Sequence, residues 1–221
     1  MKKIAKPIIE LSDIYRSSKK ACIEGLNISV PDGDSYAIVH SNQDNISLLL
    51  DIIGGKVPPK KGKIFFKGDD ITSTKNNFGV IRSDSPLPKK TVADFAGISI
   101  VKRGLSRSMT EVLVKKEIKD FGIEDLSESI IAKLPPEDAQ KALIFAAYMC
   151  SHDFMVIDEP FGNLDKSDRR EALKWLNKFR KSKKVSLLIF TQNPELASIS
   201  ADYVMTVDSK TSSSGITAYT S

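Results

Sequence analysis

Apolar residues along this chain change their period several times, and each change marks a predicted element. From Ile8 to Val30 they alternate with polar residues and end in Leu26-Asn27-Ile28-Ser29-Val30, a pattern for strands that close on a turn at Pro31-Asp32-Gly33-Asp34. Ser35 to Val39 is a short run of the buried-strand type, followed by a polar loop from His40 to Asn45. Ile46 to Ile53 reads as a helix that stops at Gly54-Gly55. Strand, loop and helix in that order are the ground plan of a phosphate-binding loop.

Lys63 to Phe66 and Phe78 to Ile81 are the next strands, the first followed by a turn at Lys67-Gly68-Asp69-Asp70. From Thr91 to about Met149 the apolar spacing becomes three and four, most clearly in Val112 to Phe121 and Ala139 to Tyr148, so this stretch is helical. Phe154 to Ile157, Val185 to Phe190 and Tyr203 to Val207 are further strands, and Arg169 to Lys181 is an amphipathic helix carrying Trp175. Residues 209–221 are rich in Ser and Thr and read as an edge hairpin. Strands that alternate with helices imply an α/β fold with a parallel or mixed sheet under helices. The expected organisation is one domain over 1–221: an α/β core at 1–90 and 150–208, a helical subdomain inserted at 91–149, and a tail at 209–221.

Composition narrows this picture without redirecting it. The 221 residues are 41% hydrophobic and 28% charged, which is ordinary for a globular chain and argues against disorder. The net charge of +5 permits contact with nucleic acid or an anionic membrane, but the lysines are dispersed in short clusters and read as solvated surface. Aromatic residues are not interleaved with basic ones, so no nucleic acid is expected as a partner. The two cysteines, Cys22 and Cys150, are far apart and in no metal-like spacing, which fits a reduced, cytosolic chain. No long apolar stretch follows the N-terminal lysines, and the longest apolar run, Ala142 to Cys150, is too short to cross a bilayer.

The chemistry concentrates in Phe154-Met155-Val156-Ile157-Asp158-Glu159-Pro160: four apolar residues, then two carboxylates at the end of a strand. Ligands of open α/β sheets bind beyond the carboxyl ends of the strands. There an Asp can hold Mg²⁺ and an adjacent Glu can orient or polarise an attacking water. The full string Ile157-Asp158-Glu159-Pro160-Phe161-Gly162-Asn163-Leu164-Asp165 resembles the Walker B and D-loop segment of ATP-binding cassette (ABC) nucleotide-binding domains. The resemblance continues at Pro31-Asp32-Gly33-Asp34, Gly68-Asp69-Asp70-Ile71, Thr91-Val92 and Ala201-Asp202-Tyr203-Val204-Met205. It implies a P-loop NTPase-like cassette core with an N-terminal antiparallel part and an inserted α-helical subdomain. It also implies ATP and Mg²⁺ as cofactors, with Tyr15 where the family places an aromatic residue against adenine.

Against that family the phosphate-handling motifs are altered. The phosphate loop Gly-x-x-Gly-x-Gly-Lys-[Ser/Thr] reads His40-Ser41-Asn42-Gln43-Asp44-Asn45-Ile46-Ser47, so all three glycines and the lysine are gone. Glycines let backbone N–H groups crowd round phosphates, which His and Gln do poorly. Losing the lysine and gaining Asp44 removes an attraction and adds a repulsion, each worth roughly 4 kcal/mol at 4 Å near a surface. The signature Leu-Ser-Gly-Gly-Gln reads Leu134-Pro135-Pro136-Glu137-Asp138: two residues without N–H groups, then two that repel phosphate, though all four suit a helical first turn. The Q-loop glutamine falls on Arg82, or on Ser83 with a one-residue slip, and the switch histidine falls on Gln192. His40 and His152 read as loop histidines.

Carried over position by position, the resemblance gives Tyr15, Asn42, Asn45, Ser47 and Asp158 as nucleotide contacts, Ser47 and Asp158 being the Mg²⁺ ligands. It gives Glu159 and Gln192 as the catalytic positions, and Leu134, Pro135, Pro136, Glu137 and Asp165 as the dimer-interface set. ATP and Mg²⁺ binding is expected to be weak or absent. The first reading is a non-catalytic or weakly catalytic cassette subunit. It would pair with a competent second cassette in a heterodimer, on membrane permease subunits at the cytoplasmic face of the cell membrane. Two alternatives stay open: an ATP-hydrolysing subunit that uses Asp158 and Glu159 with a partner's signature, and a regulatory module outside transport.

Overall fold

The computed structural model describes residues 6–74 and 76–207 and the backbone of 219–220. Two sheets organise it. In the first, β1 (Pro7–Ser17) pairs antiparallel with β2 (Cys22–Pro31) and β4 (Lys61–Phe66), and β4 carries the short β5 (Asp69–Asp70), giving the order β2-β1-β4-β5. This is the N-terminal antiparallel part that the family resemblance implied, built on the strands expected from the alternation before Pro31. The second sheet has six strands in the order β10-β9-β3-β8-β7-β6. Its members are β3 (Ser35–Val39), β6 (Gly79–Ile81), β7 (Phe154–Asp158), β8 (Ser186–Thr191), β9 (Tyr203–Thr206) and β10 (Tyr219–Thr220). All of its pairings are parallel except β9 with β10. The expected tail hairpin otherwise lies outside the described residues.

The parallel strands read as unbroken apolar runs because both faces are covered. Along β7, Met155 and Ile157 enter one core while Phe154 and Val156 enter the other; along β8, Leu187 and Ile189 oppose Leu188 and Phe190 in the same way. The first core joins this face to the helices α2 (Val92–Lys102), α3 (Arg107–Phe121), α4 (Pro136–Cys150) and α5 (Lys166–Lys183). The second joins the opposite face to the antiparallel sheet and to α1 (Gln43–Ile53). A last helix, α6 (Pro194–Ser200), follows β8 and was not legible in the spacing of its seven residues. Among the described residues no helix is long and apolar enough to cross a membrane.

Helices α2 to α4 lie in sequence between β6 and β7, where the helical stretch was expected. They pack on one another, and α4 also packs on β6 and β7. Gly79 makes that last contact possible: a Cβ built there would lie 2.4 Å from the Cβ of Ala147 on α4. Two other boundaries moved. Helix α5 begins at Lys166, three residues before the apolar pattern starts, because the Asp165 carboxylate accepts hydrogen bonds from the N–H groups of Ser167 and Asp168 (both 3.0 Å) and caps it. Helix α1 begins at Gln43, not Ile46, for the reason described next.

Candidate functional site

Register, rather than proximity in sequence, assembles the site. In the parallel sheet Val39 lies beside Thr191, Asp158 beside Phe190 and Ile81 beside Ile157. The residues that leave these strands at their carboxyl ends therefore meet at one edge: His40, Arg82, Ser83, Glu159 and Gln192. A cleft of about 750 Å³ opens there, lined among others by Gln43, Ser83, Gln140, Asp158, Glu159 and Gln192.

Asp158 is buried and its Oδ2 is saturated by donors of this chain. Ser83 gives it both its hydroxyl (2.5 Å) and its backbone N–H (3.2 Å), and Gln43 Nε2 adds a third bond (3.3 Å). Oδ1 is buried with no hydrogen-bond partner among the described residues, as are both ring nitrogens of His40. Burial pushes the His40 imidazole below its ordinary value, against the pull of the Glu159 and Asp158 charges. Of the two possible Q-loop positions, Ser83 is the one that reaches Asp158. Arg82 turns to α1, donating to Asp51 Oδ1 (2.7 Å) and to the carbonyl of Ser47 (3.3 Å), and it also holds Asp84. That contact holds the Asp84 carboxyl below the usual range.

Glu159 has positive φ (47°), as does Phe161 (56°), so the turn after β7 holds two non-glycine residues in the left-handed region. The turn is pinned from outside. Arg169 donates to the carbonyls of Phe161 (2.9 Å), Leu164 (3.1 Å) and Gly162. Both oxygens of Glu159 are engaged at the end of β8, one by the hydroxyl of Thr191 (2.9 Å) and one by the backbone N–H of Gln192 (2.6 Å). The Gln192 side chain donates to Gln43 Oε1 (3.2 Å). Gln43 thus bridges the switch position and the Walker B aspartate. Its role had no signal in the sequence beyond the loss of a glycine, and neither did those of Thr191 and Arg169, whereas Ser83 was one of the two Q-loop positions expected.

The stretch that aligns with the family's phosphate loop includes the start of α1. Only His40, Ser41 and Asn42 separate β3 from α1, and no residue from His40 to Asn45 has positive φ. Asn42 is the N-cap: its side chain accepts from Asn45 N–H (3.1 Å) and its carbonyl from Ile46 N–H (3.3 Å). The amides of Asn45 and Ile46 are thereby bonded within the chain. The Asn45 side chain accepts from the N–H of Cys22 (2.9 Å), tying α1 to β2. Ile46 is buried in the second core, at the position where the family has its lysine.

The predicted residues therefore divide. Asp158, Glu159 and Gln192 come together on the cleft. Tyr15, Asn42, Asn45 and Ser47 do not line it. Tyr15 sits on β1 with the Lys61 ammonium 4.6 Å from its ring centre. Ser47 lies inside α1. Leu134 packs against the first core, Pro135 and Pro136 open α4, and Glu137 pairs with Lys141 (2.6 Å) one turn on. None of their side chains caps α4 by a hydrogen bond, whereas Asp165 caps α5.

A doubly covered parallel sheet with a strand–turn–helix start and paired carboxylates at the end of a neighbouring strand defines a P-loop NTPase-type cassette. The family model of the ABC transporter matches residues 23–162, and the chain belongs to that family, with the fold of its ATP-binding cassettes. Among similar proteins, the lipoprotein-releasing system ATP-binding protein LolD of Geobacter metallireducens is 26% identical over 215 residues, covering 92% of this chain and 96% of that protein. The ABC transporter ATP-binding protein YtrE of Bacillus subtilis is 25% identical over 194 residues, covering 83% and 84%. The molybdate/tungstate import ATP-binding protein WtpC of Pyrococcus horikoshii is 25% identical over 178 residues, covering 79% of this chain but 52% of its own length, so the chain spans about half of that relative. In structure, cbiO1 of Clostridium perfringens, part of the ABC transporter complex cbiONQ, superposes with a TM-score of 0.76 at 20% identity, covering 91% and 84%. A nucleotide-free cassette from an ABC transporter superposes with a TM-score of 0.74 at 20% identity, covering 90% and 87%.

Proposed function

We propose that this chain is a cassette subunit whose own site binds Mg-ATP weakly or not at all and does not turn it over. It completes a heterodimer with a second, competent cassette. It transmits that partner's motion to membrane permease subunits through the helices of 91–149, from the cytoplasmic face of the membrane. The observation that carries this reading is Gln43. It opens α1 where the phosphate loop should still be arching, and its side chain spans Asp158 and Gln192. With Asn42 holding the amides of Asn45 and Ile46, and Ile46 in place of a lysine, the residues present do not fit a triphosphate and its metal. The start of α4 points the same way: Pro135 and Pro136 have no N–H to offer a partner's nucleotide, and Glu137 and Asp138 bring negative charge to it.

Calorimetric titration of the purified chain with Mg-ATP tests this. No heat up to millimolar nucleotide is the expected result, and micromolar binding overturns it. A second reading, slow hydrolysis at Asp158 and Glu159 completed by a partner's signature, is favoured by the retained pair and by Glu159 standing against Gln192. Glu159→Gln in the assembled complex separates the two. Unchanged turnover supports the first reading, and abolished turnover the second.

A further inference from the structure

Exposed large apolar side chains are few on this molecule. Of the four among the described residues, Leu87 is at the nucleotide-site cleft, while Val101, Met109 and Val112 all belong to the α2–α3 hairpin. They are 49%, 61% and 72% exposed. Val101 lies in the last turn of α2 and Met109 in the first turn of α3, so they flank the short connection between the two helices. On α3, Met109, Val112, Lys116 and Lys119 recur at intervals of three and four, which sets them along one solvent-facing stripe opposite the buried Thr110, Val114 and Ile118. The apolar pair is at the hairpin end of the stripe and the lysines follow it.

Charge concentrates on the same hairpin. Positions 101–119 contain six Lys or Arg and two Glu, and the hairpin as a whole, 92–121, adds Asp94 and Asp120 for a net charge of +2. Of the four acids, Glu111 is paired with Arg107 (3.2 Å), Glu117 and Asp120 face Lys183 (3.6 and 3.8 Å), and Asp94 lies in the first turn of α2. Exposed aliphatic side chains within a basic surface are the composition of segments that lie in the headgroup region of anionic bilayers.

We propose that the α2–α3 hairpin docks on an anionic lipid surface, inserting Val101, Met109 and Val112 between headgroups while Lys102, Lys116 and Lys119 bind their phosphates. The proposal concerns a surface away from the nucleotide cleft, so its failure would leave the reading of that cleft untouched. The test is co-sedimentation of the full chain, without nucleotide, with vesicles of phosphatidylcholine mixed with phosphatidylglycerol and with phosphatidylcholine alone. The wild-type chain should bind the mixed vesicles, bind the neutral ones far more weakly, and be released by salt. Each lysine removed should weaken binding about fivefold, so Lys116→Ala/Lys119→Ala should lose about 25-fold. Met109→Glu/Val112→Glu should abolish binding. All four side chains are exposed, and circular dichroism checks that the variants fold. No binding of the wild-type chain to mixed vesicles at low salt overturns the proposal, as does wild-type binding by both variants. Protection of Met109 from oxidation by a permease, with no vesicle binding, would assign the patch to a protein and overturn it equally.

Discussion

Restoring the missing lysine is the obvious way to test whether the phosphate loop is one substitution from function, and the structure predicts that Ile46→Lys fails in a particular way. In an open phosphate loop the lysine side chain has phosphates to reach. Here Ile46 is 4% exposed and packs with Leu49, Leu50 and Ile53 beneath the antiparallel sheet. Giving up that burial costs about 2 kcal/mol. Bringing the ammonium out along its stem, or leaving it partly desolvated, costs about 1–2 kcal/mol more. The sum, about 3–4 kcal/mol, is a large part of a typical domain stability of about 5–15 kcal/mol. For a chain of this size it should lower the melting temperature by about 10 °C. Asn42 would still hold the amides of Asn45 and Ile46, and Gln43 would still occupy Asp158. Thermal denaturation and calorimetry on the same sample should therefore show a destabilised protein with no gain in Mg-ATP affinity. A variant that melts with the wild type and binds Mg-ATP in the micromolar range would refute both the collapsed loop and the reasoning from it.

Two further perturbations probe the frame. Arg180 is buried and bonded to Asp202 (2.5 Å), whose other oxygen accepts from the Ser35 N–H (3.1 Å) and hydroxyl (3.0 Å). Burial alone would raise the Asp202 carboxyl, but Arg180 and the Ser35 donors outweigh it and hold it below 3.8. A depressed carboxylate stabilises the fold above its unfolded value and loses that contribution as the pH falls through the folded one. Asp202→Asn should therefore cost about 3 kcal/mol at neutral pH by leaving Arg180 buried and unpaired. The gap from wild type in urea melts should narrow below about pH 3.8, and a pH-independent gap would contradict the assignment. Gly79→Ala drives a methyl into Ala147, 2.4 Å from its Cβ and 2.5 Å from its Cα. It should destabilise by about 1–3 kcal/mol in urea denaturation, and a neutral result would mean that β6 and α4 are free to separate.

How far the sequence carried depends on what kind of information each feature needs. The strands of the parallel sheet were legible because double burial demands an unbroken apolar run, and Phe154-Met155-Val156-Ile157 is one. Asp158 and Glu159 were legible because a strand end fixes where they stand. The start of α1 was misplaced because apolar period registers only from Ile46, whereas the helix is set three residues earlier by a cap bond from Asn42 that leaves no hydrophobic trace. The start of α5 moved for the same reason, through Asp165. Capping residues of these types also occur in loops, so only the backbone distinguishes the two uses.

The inner wiring of the cleft was beyond sequence for a different reason: it depends on which side chains cross between strands that are distant in the chain. Gln43 and Gln192 are 149 positions apart, and Ser83 and Asp158 are 75 apart. Parallel register makes them neighbours, and no local pattern encodes that choice. The same geometry explains why several motifs could change while the frame persisted. Bonds within the chain engage several of the groups at these positions: Asn42 takes the Asn45 and Ile46 amides, Gln43 and Ser83 take Asp158 Oδ2, and the N–H of Gln192 takes Glu159. A polar cleft beneath a closed core cannot be left unsatisfied without cost. The residues at positions 42, 43, 83 and 192 supply such partners from within the chain, while among the described residues Asp158 Oδ1 and both ring nitrogens of His40 have none.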